Sequence, residues 1–128
     1  MVGIVIVSHS RQVAEGVVEL MHMVARDVCA RAAGGLADGT LGTSFDRIME
    51  AVEAVDTGDG CAILMDLGSA VMTSEMVAEA MEDHQIRLID APLVEGAVLA
   101  AAQAVQGKTL AEIEASMEEA RRMRKIPD

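Results

Sequence analysis

The sequence predicts an α/β fold: a doubly wound, mainly parallel sheet of four strands with helices on both faces. The first strand, Val2–Val7, is apolar along nearly its whole length, which is typical of a parallel strand buried on both sides. Predicted strands and helices then alternate along the chain. At 128 residues the chain is long enough to bury the core of one domain, and we expect a single domain across residues 1–128.

Hydrophobic periodicity and turn residues place the remaining elements. We expect helices at about Arg11–Arg26, Phe45–Val55, Val71–Met81 and Leu93–Val105, a last helix that ends near Met123, and strands at Val28–Ala33, Cys61–Met65 and Ile86–Ile89. The first helix carries apolar residues at three- and four-residue spacing, which predict its buried face: Val13, Val17, Leu20, Met21 and Val24. No internal repeat or low-complexity linker divides the chain.

The last helix has the clearest end signals. Thr109 and Glu112 have the spacing of a capping box, which predicts that the helix begins there. Basic residues gather at positions 121–125, where cations favour the carboxyl end of a helix. A docking role for this basic cluster is the alternative.

Composition excludes several classes of function. Twenty-one acidic residues against ten basic ones give a net charge of −11, and Phe45 is the only aromatic residue, so we expect no nucleic-acid partner. Basic proteins are plausible partners, although solubility is the better explanation of the charge. No apolar stretch approaches the ~20 residues of a membrane span, and the chain enters a strand directly without a targeting segment. We therefore expect a cytoplasmic protein that does not contact membranes.

Four residues with reactive side chains receive no functional role. Cys29 and Cys61 sit singly in apolar runs and are interpreted as reduced, buried thiols. His22 is interpreted as a residue of the helix surface or core edge, and His84 as a solvent-facing residue of a polar turn.

His9 is the first candidate functional residue. It directly follows the first strand, so it lies at the carboxyl edge of the predicted sheet, where open α/β folds bind ligands. A helix begins just after it, with Ser8 or Ser10 as the cap, and the first amides of a helix favour anions. An imidazole beside an anion site suggests a phosphorylated histidine. The alternative is an ordinary polar surface residue.

Asp66 is the second candidate, because it ends the third predicted strand in the same way. In the usual doubly wound order the first and third strands are neighbours, which places Asp66 beside His9. A carboxylate that binds one ring nitrogen fixes the tautomer and leaves the other nitrogen free to attack. The alternative role for Asp66 is to cap the following helix.

A glycine-rich loop precedes the second helix. It holds four glycines between Gly34 and Ser44, and Thr43 or Ser44 is expected to cap the helix. Such a loop can cradle phosphate, but this one lacks the lysine of a nucleotide P-loop. Taken alone, the loop is a weak indication of function.

Four segments together resemble the DhaM family, the phosphotransferase subunits of dihydroxyacetone kinase, which have the mannose-type enzyme IIA fold. They follow one another over nearly the whole chain: Val7-Ser8-His9-Ser10, Ala33-Gly34-Gly35 through Gly42-Thr43-Ser44-Phe45-Asp46, Asp66-Leu67-Gly68-Ser69-Ala70, and Asp90-Ala91-Pro92-Leu93-Val94-Glu95-Gly96. Four motifs in order are far more specific than any one of them.

The resemblance implies a homodimeric phosphoryl carrier. Phosphate would pass from phosphoenolpyruvate through enzyme I and HPr to His9, then to ADP on the subunit DhaL, and finally to dihydroxyacetone on DhaK. Nucleotide and Mg²⁺ would belong to the kinase subunit, so we expect no cofactor and no metal on this chain. Some relatives carry fused HPr-like and enzyme I-like domains. Because this chain stops at Asp128, we expect those carriers on separate proteins.

The resemblance also assigns the site residues. His9 accepts the phosphate and Asp66 supports it, and the remaining residues line the site: Ser8, Ser10, Gly35, Thr43, Ser44, Leu67, Gly68 and Ser69. Reasoning from the residues agrees with this assignment. A neutral His9 attacks the phosphoryl group, Asp66 steadies the imidazolium, and backbone amides at residues 67–70 and after His9 hold the phosphoryl oxygens.

Three alternatives remain open from the sequence. An enzyme IIA of a mannose-type sugar transporter has the same fold and histidine, although the Ala/Pro-rich linker typical of that class is missing here. A receiver-like signalling module would be phosphorylated on Asp66, but Ser8-His9 stands where its metal-binding acids would be. A binding or regulatory domain would never carry phosphate on His9.

Overall fold

The computed structural model describes residues 1–127, and within them four strands alternate with five helices. The strands are β1 (Gly3–Ser8), β2 (Ala30–Gly34), β3 (Cys61–Met65) and β4 (Ile86–Ile89). The helices are α1 (Arg11–Val24), α2 (Phe45–Val55), α3 (Gly68–Ala80), α4 (Leu93–Ala104) and α5 (Leu110–Arg122). The strand order is β2-β1-β3-β4 and every pair is parallel, which confirms the predicted fold class. A single domain over residues 1–128 stays a prediction, and its last residue lies outside the described range.

Residues Ile4–Val7 of strand β1 are apolar and buried because both faces of the sheet are covered. Ile4 and Ile6 pack in the layer formed with α1, α4 and α5. Val5 and Val7 pack in the opposite layer, with α2 and α3. Successive side chains of a strand point to opposite faces, so a strand between two apolar layers needs apolar residues at consecutive positions.

The register of the two central strands positions the polar residues that follow them. Val7 of β1 is paired with Met65 of β3. The Asp66 amide donates to the Val7 carbonyl oxygen at 3.2 Å. His9 and Asp66 therefore emerge side by side at the carboxyl edge of the sheet.

The predicted buried face of the first helix is only partly correct. Of the predicted residues, Val17 and Met21 are buried, and Ala14 is the third buried residue of this face. The other three predicted residues, Val13, Leu20 and Val24, are exposed. The exposed residues form an adjacent strip on the same helix. Spacing in the sequence shows that a face is apolar, but the neighbouring elements decide which part of it is covered.

Some predicted boundaries also differ from those in the structure. Strand β2 begins at Ala30 rather than Val28 and includes Gly34, while α1 ends at Val24. Helix α3 begins at Gly68, three residues earlier than predicted. Glycine and serine are poor helix formers, so the sequence indicated a later start, and tertiary context overrides this weak preference.

Gly34 lets the end of β2 pack against the start of α1. A Cβ atom there would lie 2.5 Å from the Ser10 carbonyl oxygen and 2.8 Å from the Ala14 Cβ. We expect Gly34→Ala to lower the free energy of unfolding by about 2 kcal/mol or more, because backbone must move to admit it. Gly16→Ala in α1 is the matched control. Apart from the neighbouring backbone of α1 itself, nothing lies within 4 Å of that Cβ, so we expect the free energy of unfolding to rise by about 0.5–1 kcal/mol. Urea unfolding of both variants measures the difference, and equal effects would contradict the packing argument.

His84 is not the solvent-facing residue that the sequence predicted. Its Nδ1 lies 2.7 Å from Oδ2 of Asp56, which is largely buried. The other carboxylate oxygen of Asp56 accepts hydrogen bonds from the amides of Gly58 (2.9 Å) and Gly60 (3.1 Å). Burial alone would raise the pKa of Asp56, but the bonds from His84 and the two amides lower it below its usual value. The bond to Asp56 raises the pKa of His84.

This pair makes stability depend on pH. Because the pKa of His84 is higher in the folded state, its charged form stabilises the fold below the unfolded pKa of ~6.5. The contribution is lost as pH rises through the folded value. We expect His84→Gln to lower the free energy of unfolding by about 1 kcal/mol more at about pH 5.5 than at about pH 8.5. Urea unfolding at both pH values tests this, and a pH-independent loss would show that the charge on His84 is unimportant.

Candidate active site

His9 and Asp66 meet where β1 and β3 end. The His9 Nδ1 lies 3.0 Å from Asp66 Oδ1. The His9 backbone amide donates to Asp66 Oδ2, also at 3.0 Å. The two side chains are 25% and 18% exposed, so the ring is held in place while one edge stays accessible. The structure thus brings together the two residues proposed to react and to support the reaction.

Asp66 determines which nitrogen of His9 carries the proton. Burial alone would raise the pKa of Asp66, but hydrogen bonds from the His9 amide, the Ser8 hydroxyl, the His9 ring and the Leu67 amide lower it. An ionised carboxylate can only accept hydrogen bonds, so Nδ1 of the neutral ring must be the protonated nitrogen. Nε2 then keeps its lone pair. A histidine that acts as a nucleophile through Nε2 requires this tautomer.

Ser69, in the first turn of α3, contacts this outer nitrogen directly. Its Oγ is hydrogen-bonded to His9 Nε2 and, because Nε2 has no proton, the hydroxyl is the donor. The Ser69 carbonyl oxygen in turn accepts from the Thr73 hydroxyl at 3.1 Å. Thr43 lies 3.0 Å from the same Thr73 oxygen and donates to it, since the Thr73 proton is already used. Thr73 was missed by the sequence analysis, and its only signal was a position one helical turn after Ser69.

Ser8 and Ser10 have different structural roles. Ser10 is the N-cap of α1, where its Oγ accepts from the Val13 amide at 3.2 Å. Ser8 is fully buried and donates to Asp66 Oδ2 at 2.8 Å, and its Oγ accepts from the Ser10 amide at 3.0 Å. Of the two predicted caps, Ser10 is therefore the one observed, and Ser8 orients the carboxylate.

The glycine-rich loop supports the backbone around His9. The Gly35 amide donates to the Ser8 carbonyl oxygen at 3.1 Å, and the Gly42 amide donates to that of His9 at 2.9 Å. Gly35 has a φ of 69°, a conformation that favours glycine. Ser44, rather than Thr43, caps α2 by accepting from the Arg47 amide at 3.2 Å. Gly42 was not among the predicted site residues, because its role depends on a contact 33 residues away in the chain.

The first turn of α3 adds a positive electrostatic element. Leu67 occupies the N-cap position and makes no side-chain capping bond, so the alternative in which Asp66 is the N-cap is wrong. Asp66 Oδ1 instead accepts from the Leu67 amide at 2.7 Å. The next amides, those of Gly68 and Ser69, belong to the first helical turn, where amides have no intrahelical partner and favour anions. The unprotonated ring nitrogen of His9 therefore lies near a helix start whose amides favour an anion.

Three further findings concern residues 1–127. They include no cluster of three or more His, Cys, Asp or Glu side chains placed to hold a metal ion. Nor does this part of the chain contain a helix long and apolar enough to cross a membrane. Burial raises the pKa of the Cys61 thiol to about 12, so this cysteine is an unreactive core residue.

Comparisons with solved structures agree with this architecture. The crystal structure of EF1359, a protein of unknown function, superposes with a TM-score of 0.83 at 28% identity, covering 99% of this chain and 100% of that one. A phosphotransferase system EIIA component from Streptococcus agalactiae has a TM-score of 0.73, with 100% of this chain and 97% of that one covered. At 17% identity, the second likeness shows the fold alone.

Sequence comparisons identify the family. The profile of the family described as "PTS system fructose IIA component" matches residues 3–114. The subunit DhaM of the PTS-dependent dihydroxyacetone kinase of Lactococcus lactis is 42% identical over 91% of this chain and 93% of its own length. A DhaM of Listeria innocua is 46% identical over 79% of this chain and 80% of its own length. The DhaM of Escherichia coli is 40% identical over 84% of this chain but only 24% of its own length. The chain therefore belongs to the mannose-type enzyme IIA family, among its DhaM phosphotransferase subunits.

Proposed function

We propose that this chain is the phosphoryl carrier of a phosphoenolpyruvate-dependent dihydroxyacetone kinase and carries the phosphate on His9 Nε2. The observation that carries the proposal is the hydrogen bond between Asp66 and His9 Nδ1, which leaves Nε2 unprotonated, with a lone pair that now accepts from Ser69 and is the proposed nucleophile. Relatives at 42% and 46% identity are named as the phosphotransferase or phosphoryl donor subunits of such kinases. The site chemistry and the names of the relatives thus support the same reaction.

The geometry of the site supports the following transfer step. The Nε2 lone pair of His9 attacks phosphorus in the donor, a bond from nitrogen to phosphorus forms, and the bond from phosphorus to the donor atom breaks as its electron pair leaves with the donor. The ring becomes cationic, and its Nδ1 proton stays hydrogen-bonded to Asp66, which stabilises the charge. The Ser69 hydroxyl turns from Nε2 to a phosphoryl oxygen, and first-turn amides of α3 hold the other oxygens.

The partners follow from the same proposal. HPr is the donor, DhaL with bound ADP is the acceptor, and DhaK binds dihydroxyacetone, with nucleotide and Mg²⁺ on the kinase subunit. The net charge of −11 favours basic partners. The chain functions as a homodimer in this proposal.

His9, rather than Asp66, is the better acceptor. The two Asp66 oxygens receive four hydrogen bonds, from Ser8, Leu67 and both the amide and the ring of His9. A carboxylate held in this way would have to lose these bonds before it could attack phosphorus.

Phosphate on His9 is expected to be lost in mild acid, which distinguishes it from phosphoserine.

Labelled phosphoenolpyruvate tests the proposal directly. The protein is incubated with enzyme I and HPr, and label on the chain is followed before and after addition of DhaL, DhaK, ADP and dihydroxyacetone. We expect acid-labile label that moves into dihydroxyacetone phosphate. Label that discharges only to a sugar-transport IIB protein would support the transporter enzyme IIA instead, and a failure to label would favour a binding domain.

A further inference from the structure

Two consecutive residues of the glycine-rich loop hold two different parts of the candidate site. The Gly42 amide donates to the His9 carbonyl oxygen at 2.9 Å. The hydroxyl of the next residue, Thr43, lies 3.0 Å from the hydroxyl of Thr73 in α3. The loop therefore connects the residue that carries the proposed nucleophile to the helix whose first turn contacts that nucleophile.

Thr73 extends this connection to Ser69. The Thr73 hydroxyl donates its proton to the Ser69 carbonyl oxygen at 3.1 Å, one helical turn earlier, and its oxygen accepts the proton of Thr43. Ser69 in turn contacts His9 Nε2 through its own hydroxyl. We call Thr43 and Thr73 the threonine clamp. The clamp fixes the stretch of α3 backbone from which the Ser69 hydroxyl reaches the reacting nitrogen.

The glycine-rich loop is itself held by internal hydrogen bonds. The Leu36 amide donates to the Thr40 carbonyl oxygen and the Gly39 amide donates to that of Leu36, both at 2.9 Å. Among residues 1–127, the bond between the two threonines is the only hydrogen bond that joins this loop to α3. Removal of either hydroxyl therefore removes the direct link between the loop and the helix.

We propose that Thr73 is a positioning residue of the phosphoryl transfer, which acts through Ser69 without contacting the phosphoryl group. This inference rests on the proposed function. Ser69 is exposed at the reacting nitrogen, whereas Thr73 lies half-buried one turn behind it. During transfer, the Ser69 hydroxyl and the first-turn amides of α3 must meet the phosphoryl oxygens as phosphorus bonds to Nε2. A displacement of such groups by about 1 Å can slow a reaction by about 100-fold, because the transition state is then poorly held.

Thr73→Val tests the proposal, because valine has nearly the shape of threonine but no hydroxyl. The Ser69 carbonyl oxygen keeps its helical bond from the backbone amide of residue 73, so we expect the variant to fold. We expect the maximal single-turnover rate of transfer from phospho-HPr to fall about 10- to 100-fold, while the KM stays within about twofold of wild type. Thr73→Ser keeps the hydroxyl and is expected to keep the rate. Thr40→Val is the matched control, because it removes a loop hydroxyl that bonds to Asp38 at 2.6 Å, and we expect the wild-type rate.

Two further measurements test whether the clamp acts as a unit at the phosphoryl group. If the two hydroxyls act through their shared bond, the double variant Thr43→Val, Thr73→Val transfers no more slowly than the slower single variant. The small phosphodonor phosphoramidate reaches Nε2 without a protein partner. We expect its labelling of His9 in Thr73→Val to fall in the same proportion as transfer from phospho-HPr.

The outcomes separate the inference from the proposed function. A wild-type maximal rate in Thr73→Val, even with a loss of stability in urea, would make Thr73 a structural residue only and overturn the inference. A rise in KM alone, an equal fall in Thr40→Val, no recovery in Thr73→Ser, falls that multiply in the double variant, or an unchanged rate with phosphoramidate would also overturn it. In all these cases His9 of the wild-type chain is still labelled and the proposed function stands. If neither donor labels the wild-type chain, the proposed function and the inference both fail.

Discussion

His9→Ala is expected to abolish phosphate uptake from phospho-HPr, because the only nucleophile proposed for the transfer is removed. We expect the fold to persist. The ring is partly exposed, and the backbone amide at this position still donates to Asp66 in the variant. Labelling with phosphoenolpyruvate, enzyme I and HPr measures uptake, while urea unfolding measures stability.

His22→Ala is the matched control for this variant. His22 is an exposed histidine on α1, and its Nδ1 lies 3.1 Å from the Arg26 carbonyl oxygen. We expect it to take up phosphate at the wild-type level. Acid-labile label on folded His9→Ala would show that another residue is the acceptor.

Asp66→Asn is expected to slow transfer by about two to four orders of magnitude without removing the acceptor. Each Asp66 oxygen accepts two hydrogen bonds, one of them from a backbone amide. Oδ1 accepts from the Leu67 amide and the His9 ring, and Oδ2 accepts from the His9 amide and the Ser8 hydroxyl. An asparagine must place its NH₂ group against one of these amides, which then loses its acceptor. If the NH₂ group faces the His9 ring, it donates to Nδ1 and favours the proton on Nε2, which blocks attack.

Single-turnover transfer from phospho-HPr to Asp66→Asn measures this effect. Slow labelling that reaches the wild-type level at long times would show that the acceptor is intact but poorly prepared. Asp66→Glu is a useful comparison, because it keeps the charge but lengthens the side chain. A wild-type rate in Asp66→Asn would reduce Asp66 to a residue that only organises the loop.

Short-range sequence patterns were sufficient for much of the fold. The apolar run before His9 predicted a doubly buried strand, and the Thr109 to Glu112 spacing predicted the capping box observed at the start of α5. The prediction that His84 faces solvent was wrong, because its hydrogen-bond partner Asp56 is 28 residues away in the chain and no local pattern indicates it. The same limit explains the error on α1, where the packing of α4 and the sheet decides which apolar residues are covered.

For the site, sequence and tertiary structure contributed different information. Local apolar patterns and loop residues predict where the strands end. Together with the usual strand order of a doubly wound sheet, these strand ends place a histidine and an aspartate at one edge. Only the tertiary structure decided the chemistry of the ring. Ser69 and Asp66 are 60 and 57 residues from His9, and hydrogen bonds act only over about 3 Å, so the proton on Nδ1 and the free Nε2 depend on how the chain folds.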